Sequence, residues 1–477
     1  MCYDWDMNRN VFLSAVFLLL GAFHSASAET LETLLSGYLA NDGTIKSLTL
    51  TLRDKELSCR SAKLSRSFSV QLSSGTVTVT AGDQLSVRLK PSASLSLPQA
   101  SNLSLTLSSD ISAPDDSGIV RDTSLGIGVD IFSGAMASRR VALLKAEREL
   151  LEAQRSLQDG FLSQEKAFYS GLKALYEAAA KLSSAEKDYY DKLLSFEQVK
   201  VQGFEPQSLK YRQTNLEVLT ARHSVDSCKK ALERDVRIFA RRCGVPYTAA
   251  FPQDFLPESI PQVEELDVLD FPKERYTKIE SASWTSYING LSRKAEKMVT
   301  VTGSTGYTFA NSGVPGGKDT IDVGAAASIA DSALKLSAGI SEPVDFSSPV
   351  YSFGISVDPT KFFLHNITAQ QRTIAAAQEQ LAMEAAESSY DEAVVARQTA
   401  LDNLRWQLAA DQESYDMYRA LERDTMRWFR EGIVSESDYK AAVVNREKYR
   451  IQCVIDSIER IMYNNETKLL FVRDEEL

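Results

Sequence analysis

Apolar residues first alternate with polar ones in short runs, then switch to steps of three, four and seven, and the switch happens twice along the chain. The first switch follows Leu125-Gly126-Ile127-Gly128-Val129-Asp130. From there to Gly203 there is no proline and, past Gly134, only two interior glycines, Gly160 and Gly171. Leu150, Leu157, Phe161, Phe168, Leu172, Leu175, Leu182, Tyr189, Leu193 and Phe196 fall at helical spacing, the apolar seam of a coiled coil. A helix of that span is about 100 Å long at 1.5 Å per residue, far beyond the helices of an ordinary globular domain. The second switch follows Phe353-Gly354-Ile355-Ser356-Val357-Asp358 and opens another long helical pattern that ends at Gly432. Asp130 to Gly203 spans 73 positions and Asp358 to Gly432 spans 74, so the chain reads as an internal duplication.

The rest of each half follows the same order. A helix is predicted from Thr30 to Leu39, closed by Asn41-Asp42-Gly43, and a second amphipathic stretch runs from about 44 to 64. Alternating runs come next: Phe68, Val70 and Leu72; Val77 and Val79; Leu85, Val87 and Leu89; Leu103, Leu105 and Leu107; Leu125, Ile127 and Val129. The residues between them are mostly Ser, Thr, Gly and Gln, which makes strands with one apolar and one polar face. A soluble sheet packed on a core satisfies this pattern, and so does a transmembrane barrel with lipid outside and water inside. After Gly203 a shorter helix shows Leu209, Leu216, Leu219, Val225, Leu232, Val236 and Phe239 on one face and stops at Gly244-Val245-Pro246. An acidic linker with Pro252, Pro257, Pro261 and Pro272 then separates the halves.

The second half repeats the first with a helix near 273–298, alternating runs ending at Val357, a long helix carrying Ile367, Ile374, Leu381, Leu404, Leu408, Tyr415 and Tyr418, and a last helix with Ile451, Val454, Ile458, Ile461 and Met462. The expected fold is mixed α and β, mostly α, in two tandem repeats of helix, strands, very long helix, glycine turn and helix. The first repeat is 29–244, with strands about 66–131 and long helices about 134–202 and 206–243. The linker is 245–272. The second repeat is 273–477, with strands about 299–358 and long helices about 360–431 and 435–470.

Composition narrows the function. The 477 residues carry a net charge of −11 with 25% charged residues, so there is no basic footprint for a nucleic acid. Arg9, the apolar run Val11 to Ala22 and the Ala26-Ser27-Ala28 cleavage pattern mark residues 1–28 as a secretory signal peptide. Asp4 and Asp6 fit that reading poorly, and a start at Met7 gives a cleaner signal. No other apolar run reaches the length of a spanning helix, so any passage through a membrane is by strands. Cys59, Cys228, Cys243 and Cys453 remain after cleavage. An oxidising compartment permits disulfides, but Cys228 and Cys243 lie on the apolar line of Val225, Leu232, Val236 and Phe239, which suits free core thiols. With His223 and His365 as the histidines of the mature chain and no CxxC, a metal site has little material. There is no nucleophile motif, and Gly128 and Gly134 lack dinucleotide-loop spacing. No catalytic residue and no cofactor is expected.

The order of elements and the residues at their joints resemble the TolC-like outer-membrane efflux protein family. At the strand-to-helix junctions Asp130-Ile131-Phe132-Ser133-Gly134 keeps the family's Phe and Gly, and Asp358-Pro359 keeps its proline. The turns Gly203-Phe204-Glu205 and Gly432-Ile433-Val434 resemble the family's tip, a glycine followed by a helix-capping stretch. The resemblance covers nearly the whole mature chain, twice. It implies a homotrimeric exit duct, with a shared barrel in outer-membrane lipid and long helices crossing the periplasm, fed by an inner-membrane transporter through a periplasmic membrane-fusion adaptor that docks at the tip turns. An oligomer follows independently from the few strands per chain, since an open sheet edge in lipid leaves backbone groups unsatisfied. Asp438, six positions after Gly432, matches an aspartate that rings the family's closed periplasmic aperture, and Glu436 and Arg430 are further candidates there. The alternative for Asp438 is a surface aspartate near a helix N-terminus, stabilised by the helix dipole. The pattern departs at Ala441, where the family has a second aspartate, and at Val434, where it has an arginine; Phe429 matches an aromatic position suited to packing. Each repeat also shows about four alternating runs where the family has two strands. Either an extra hairpin stands above the membrane or the barrel has more strands. The competing function is a periplasmic structural coiled-coil protein with a soluble β region; an adaptor is a third possibility that the doubled unit disfavours.

Overall fold

A computed structural model describes residues 30–473 apart from 76, 82–84, 100, 115–119, 133, 248–250, 258, 297–298, 310–317 and 330–332. The segment read as a signal peptide and the last four residues lie outside the described residues. The elements in order are α1 (Leu31–Asn41), α2 (Gly43–Ser67), β1 (Ser69–Ser73), β2 (Val77–Ala81), β3 (Leu85–Leu89), β4 (Ser92–Leu97), β5 (Leu103–Pro114), β6 (Val120–Phe132), α3 (Gly134–Val201) and α4 (Leu209–Cys243). Three short 3-10 turns follow, then α5 (Thr277–Glu296), β7 (Thr300–Phe309), β8 (Thr320–Ile329), β9 (Leu334–Pro343), β10 (Val350–Val357), α6 (Pro359–Arg430) and α7 (Glu436–Lys468). Helix α3 runs unbroken for 68 residues and α6 for 72. The fold is mostly helical, with the same helix–strand–long-helix order in each half. None of the described helices is long and apolar enough to cross a membrane.

All ten strands among the described residues join one antiparallel sheet in the order β1-β4-β5-β6-β7-β8-β9-β10, with β2 on β3 and β3 also on β5. The two extra strands do not add rows. β3 and β4 lie along the same side of β5, opposite Ile111–Pro114 and Leu103–Ser108 respectively, so together they form one row broken at Lys90-Pro91. β1 and β2 pair with β4 and β3, forming a second broken row. The breaks sit side by side. Gly75 has φ +68, and a Cβ there would lie 1.7 Å from the Lys90 carbonyl oxygen. Ser109 N–H donates to the Pro91 carbonyl at 2.9 Å, which keeps the ladder tied across the gap. Each half therefore supplies four rows to the one sheet, where the two-strand pattern of the resemblance implies two.

The chain divides into two compact units. The first holds the described residues through Asp42, with Gln164–Glu264 and Leu404–Met462. Its core is built on Leu34, Phe168, Leu172, Leu232, Val236 and Ile458. Phe168 meets Tyr38, Tyr169 and Phe239 at ring-centroid distances of 5.6, 5.3 and 5.3 Å. Cys243 is buried here, and the four described cysteines are free thiols. The second unit holds Gly43–Ser163, Glu265–Asn403 and the described residues from Tyr463. Beside the sheet it has a small core of Val268, Tyr276, Ile279, Ala386 and Phe471. Parts of the predicted apolar seams are uncovered: Phe161 on α3, Leu209, Leu216 and Leu219 on α4, and Ile367, Ile374 and Leu381 on α6 are exposed in the single chain.

Candidate functional site

The sheet sorts its side chains by chemistry. Followed through direct cross-strand partners, one line reads Val70, Leu95, Leu105, Ile127, Thr305, Val323, Ile340, Tyr351. The neighbouring line, on the opposite face, reads Ser69, Ser96, Ser104, Gly128, Ser304, Gly324, Gly339, Ser352. Because successive residues of a strand point to opposite faces, the sheet has one apolar face and one face of hydroxyls and glycines. The small face is tightly fitted. A Cβ on Gly128 would approach Ser104 Oγ to 2.7 Å, and one on Gly339 would approach Ser352 Oγ to 2.8 Å. The serine hydroxyls use that space: Ser352 Oγ donates to the Gly339 carbonyl at 3.3 Å, and Ser337 Oγ to the Gly354 carbonyl at 3.4 Å.

The strand-to-helix junctions are built alike in the two halves. Asp130 N–H donates to the Ser101 carbonyl and Asp358 N–H to the Ala333 carbonyl, each at 2.8 Å, so the strand before each long helix is tied to the turn ahead of its hairpin partner. Asp130 also accepts from Asn102 Nδ2 at 2.9 Å. Asp358 Oδ1 accepts the Thr360 and Lys361 amides at 3.1 and 3.4 Å. That is an N-cap with Pro359 in the first helical position, where its missing N–H costs nothing; the sequence reading had left Pro359 just outside the helix. Phe132 is the last residue of β6 and Gly134 the first of α3.

At the far ends of the long helices, Gly203 (φ +78) and Gly432 (φ +76) close α3 and α6 in the same way. Gly203 N–H donates to Lys200 and Phe204 N–H to Val199, at 3.0 and 3.4 Å. Gly432 N–H donates to Phe429 and Ile433 N–H to Trp428, at 3.0 and 2.8 Å. This pair of bonds is the Schellman termination, which needs a left-handed residue. Glu205 and the apolar Val201, Phe204, Leu209 and Ile433 are exposed around these turns, and Val434 is half-buried. Helix α4 begins at Leu209, three residues later than expected, because Ser208 is its cap and accepts the Tyr211 amide at 3.3 Å.

Asp438 takes a capping role. Its Oδ2 accepts from Ser435 N at 3.1 Å and from Ser435 Oγ at 2.6 Å, while Ser435 Oγ accepts the Asp438 amide at 3.2 Å. These bonds, with the Ser435 hydroxyl first, hold its carboxyl below the usual range. Glu436 lies 3.3 Å from Lys440 and is held low by a hydrogen bond from Tyr190 and then by Lys440. Lys440 Nζ sits 3.2 Å over the Tyr190 ring, and Ser437 Oγ donates to Asp191 Oδ1 at 2.5 Å. Arg430 lies against Met426 Sδ at 3.8 Å, and no ion pair joins it to Glu436 or Asp438 among the described residues. Phe429 stacks on Tyr439 with ring centroids 5.7 Å apart. Sequence reasoning missed Tyr190, Asp191, Ser437 and Lys440. The Ser435-x-x-Asp438 spacing, a capping-box pattern, was the available signal for Asp438.

Comparison with solved structures gives the fold first. The outer-membrane channel OprN matches with a TM-score of 0.50 at 14% identity, over 91% of this chain and 90% of that chain. The outer membrane protein VceC of Vibrio cholerae matches at 0.49 and 12% identity, over 92% and 96% of the two chains. A membrane protein from Pseudomonas aeruginosa matches at 0.48 and 14%, over 94% and 91%. The OprN likeness gives this chain the fold of an outer-membrane channel. No curated protein matches the sequence. The TP096X N-terminal domain matches residues 34–261 and the TP096X C-terminal domain matches 261–474, and the chain belongs to the TP096X family. The two matches meet at Pro261, inside the proline-rich stretch.

Proposed function

We propose that this protein is a passive exit duct in the outer membrane, a non-catalytic channel of the TolC-like efflux type. The observation that carries the reading is the two-faced sheet growing directly into helices of 68 and 72 residues. The apolar face suits lipid and the serine–glycine face suits a water-filled lumen, with the helical body in the periplasm. The chain works as a homotrimer, and it receives its cargo from an inner-membrane transporter through a periplasmic adaptor. The adaptor docks on the turns at Gly203, Phe204 and Glu205 and at Gly432, Ile433 and Val434, a role favoured by the exposed Phe204 and Ile433. Glu436, Asp438 and Arg430 line the periplasmic aperture, where three copies of the carboxylates favour cations. The experiment is fractionation of the outer membrane, followed by electrophoresis with and without heating and conductance in planar bilayers. Heat-modifiable oligomers that conduct are expected. A soluble monomer without conductance refutes the duct and leaves the periplasmic coiled-coil alternative.

A further inference from the structure

The charges of the second unit are unevenly partnered. β1 and β7 begin, and β6 and β10 end, at one end of the sheet, where α2, α5, α3 and α6 respectively join it. Next to that junction the helices are nearly free of acids: α2 has none after Glu56, α3 none before Glu147, α6 none before Glu379, and α5 has Glu296 alone after Glu280. The acids closest to the junction are engaged. Asp358 caps α6, and Asp130 accepts from Asn102. Glu296 lies 3.1 Å from Arg372, Glu147 3.3 Å from Lys63 and Glu379 2.6 Å from Arg293. Arg60, Arg140 and Lys294 are left over. All three are exposed, and none makes an ion pair among the described residues.

The chain as a whole is acidic, with a net charge of −11, so unneutralised cations gathered at one level are a local feature. Toward the loop end of the sheet the reverse holds: Arg88 and Lys90 share Asp110, and Lys318 lies 2.6 Å from Asp345. Farther along α2, Lys55 meets Glu149 at 2.8 Å. Between the three free cations and the sheet lies apolar surface. The apolar face of the strands ends in Phe68, Ile131 and Val357 and is continued on the helices by Leu64 and Phe363, each more than half exposed. Arg60 is one turn from Leu64, Arg140 is six residues past Gly134, and Lys294 is two before Glu296. At 1.5 Å per residue all three lie within about 10 Å of the sheet-side ends of their helices. An apolar band followed at that distance by unpaired cations matches the edge of a bilayer. Hydrocarbon gives way to a headgroup layer roughly 5 to 8 Å thick, and its phosphates fall within the screening length of about 8 Å.

We propose that Arg60, Arg140 and Lys294 form a belt that binds the anionic phospholipid headgroups of the leaflet facing the helices. This rests on the outer-membrane reading and adds to it a lipid class. The long side chains of Arg and Lys reach from the helix to the phosphates while their stems lie along the apolar residues beside them. A cation near an anionic lipid surface is worth about fivefold in affinity, so the belt selects an anionic lipid over a zwitterionic one.

The test takes the protein solubilised from outer membranes in a neutral detergent and equilibrates it with equal amounts of phosphatidylglycerol and phosphatidylcholine. The ratio of the two lipids retained after gel filtration is then measured. In low salt the parent is expected to hold about fivefold or more phosphatidylglycerol over phosphatidylcholine. In about 1 M NaCl, where the screening length is about 3 Å, the two should be held nearly equally. Arg60→Gln, Arg140→Gln and Lys294→Gln together are expected to bring the low-salt ratio down about fivefold or more, while Lys210→Gln, Lys229→Gln and Lys230→Gln on α4 leave it unchanged. Each of the three belt substitutions is also read alone, and the salt dependence of the parent needs no variant. Equal retention by the parent in low salt overturns the proposal. So does a preference that the triple variant keeps, and if that variant instead changes the ion selectivity of conductance, the cations face the lumen. Absence of the chain from the outer-membrane fraction overturns the duct itself, and this inference with it.

Discussion

Asp456 is a charge-bearing group in the wrong surroundings, and its cost can be measured. It lies on α7 within the first unit and is 1% exposed. Gln452 Nε2 donates to one of its oxygens at 3.0 Å, and the other, Oδ2, receives no hydrogen bond. Burial foremost, with the Asp411 and Glu459 carboxylates nearby, pushes its carboxyl from 3.8 up to about 6, against the pull of Gln452. A raised acid binds its proton more tightly in the folded state than in the unfolded one. Stability therefore falls as pH rises from about 4 through 6, and above that the full cost stands. Two units at 1.36 kcal/mol each give about 3 kcal/mol. Asp456→Asn keeps an oxygen for Gln452 and replaces the ionising oxygen with an amide that can donate toward Asp411. The variant is expected to match the parent near pH 4 and to gain about 2 to 3 kcal/mol at pH 8. Unfolding of the detergent-solubilised protein followed by tryptophan fluorescence across that range reads the difference. A gain independent of pH, or no gain at pH 8, refutes the reasoning.

Three further expectations come from the joints of the fold. Gly203→Ala and Gly432→Ala each force a side chain into a left-handed conformation with no heavy atom within 4 Å of the new Cβ, so the cost is conformational, about 1 to 2 kcal/mol, and appears as faster amide exchange at Phe204 or Ile433 with the rest of the helices unchanged. Gly128→Val drives a branched side chain toward Ser104 Oγ, where even a Cβ would stand at 2.7 Å; a loss of about 1 to 3 kcal/mol is expected as a lower temperature of heat modification on gels, with partial recovery when Ser104→Ala is added. Asp358→Ala removes the acceptor for the Thr360 and Lys361 amides and is expected to cost about 1 kcal/mol, read as lost exchange protection in the first turn of α6, whereas Asp358→Asn keeps it.

The long helices were legible because nothing in 130–203 or 359–430 breaks a helix and the apolar steps persist for many turns. Strand β4 was passed over: Ser92–Leu97 lies between Pro91 and Pro98 and alternates serines with Ala93, Leu95 and Leu97, a run of six residues whose first apolar side chain is only a methyl. Its identity as a row depends on pairing with β1 and β5, which local pattern does not encode. The same limit hid the contacts beside the tip. Ser437 meets Asp191 across 246 positions of sequence, and Lys440 finds the Tyr190 ring over a comparable separation. Apolar periodicity also named residues without saying what covers them. Leu216 and Ile374 have the spacing of core positions, yet the single chain leaves both exposed, because a heptad line records that a partner exists and not whether it belongs to the same copy.

The composition of the sheet's polar face carries a further consequence. Large side chains on the apolar face, Val70, Leu105, Val323 and Ile340, stand back to back with serines and glycines such as Ser104, Gly128, Gly324 and Ser352. On the concave side of a bent sheet neighbouring side chains crowd together, and on the convex side they spread apart. A Ser–Gly cross-strand pair relieves the crowding, since the serine hydroxyl occupies the place of the missing Cβ and bonds the glycine carbonyl, as Ser352 does at Gly339. Bending toward the hydroxyl face is therefore the sterically easier direction for such a sheet. The sorting that gives the proposed duct a face suited to lipid thus also favours one direction of bending, and four rows from each repeat give both halves the same preference.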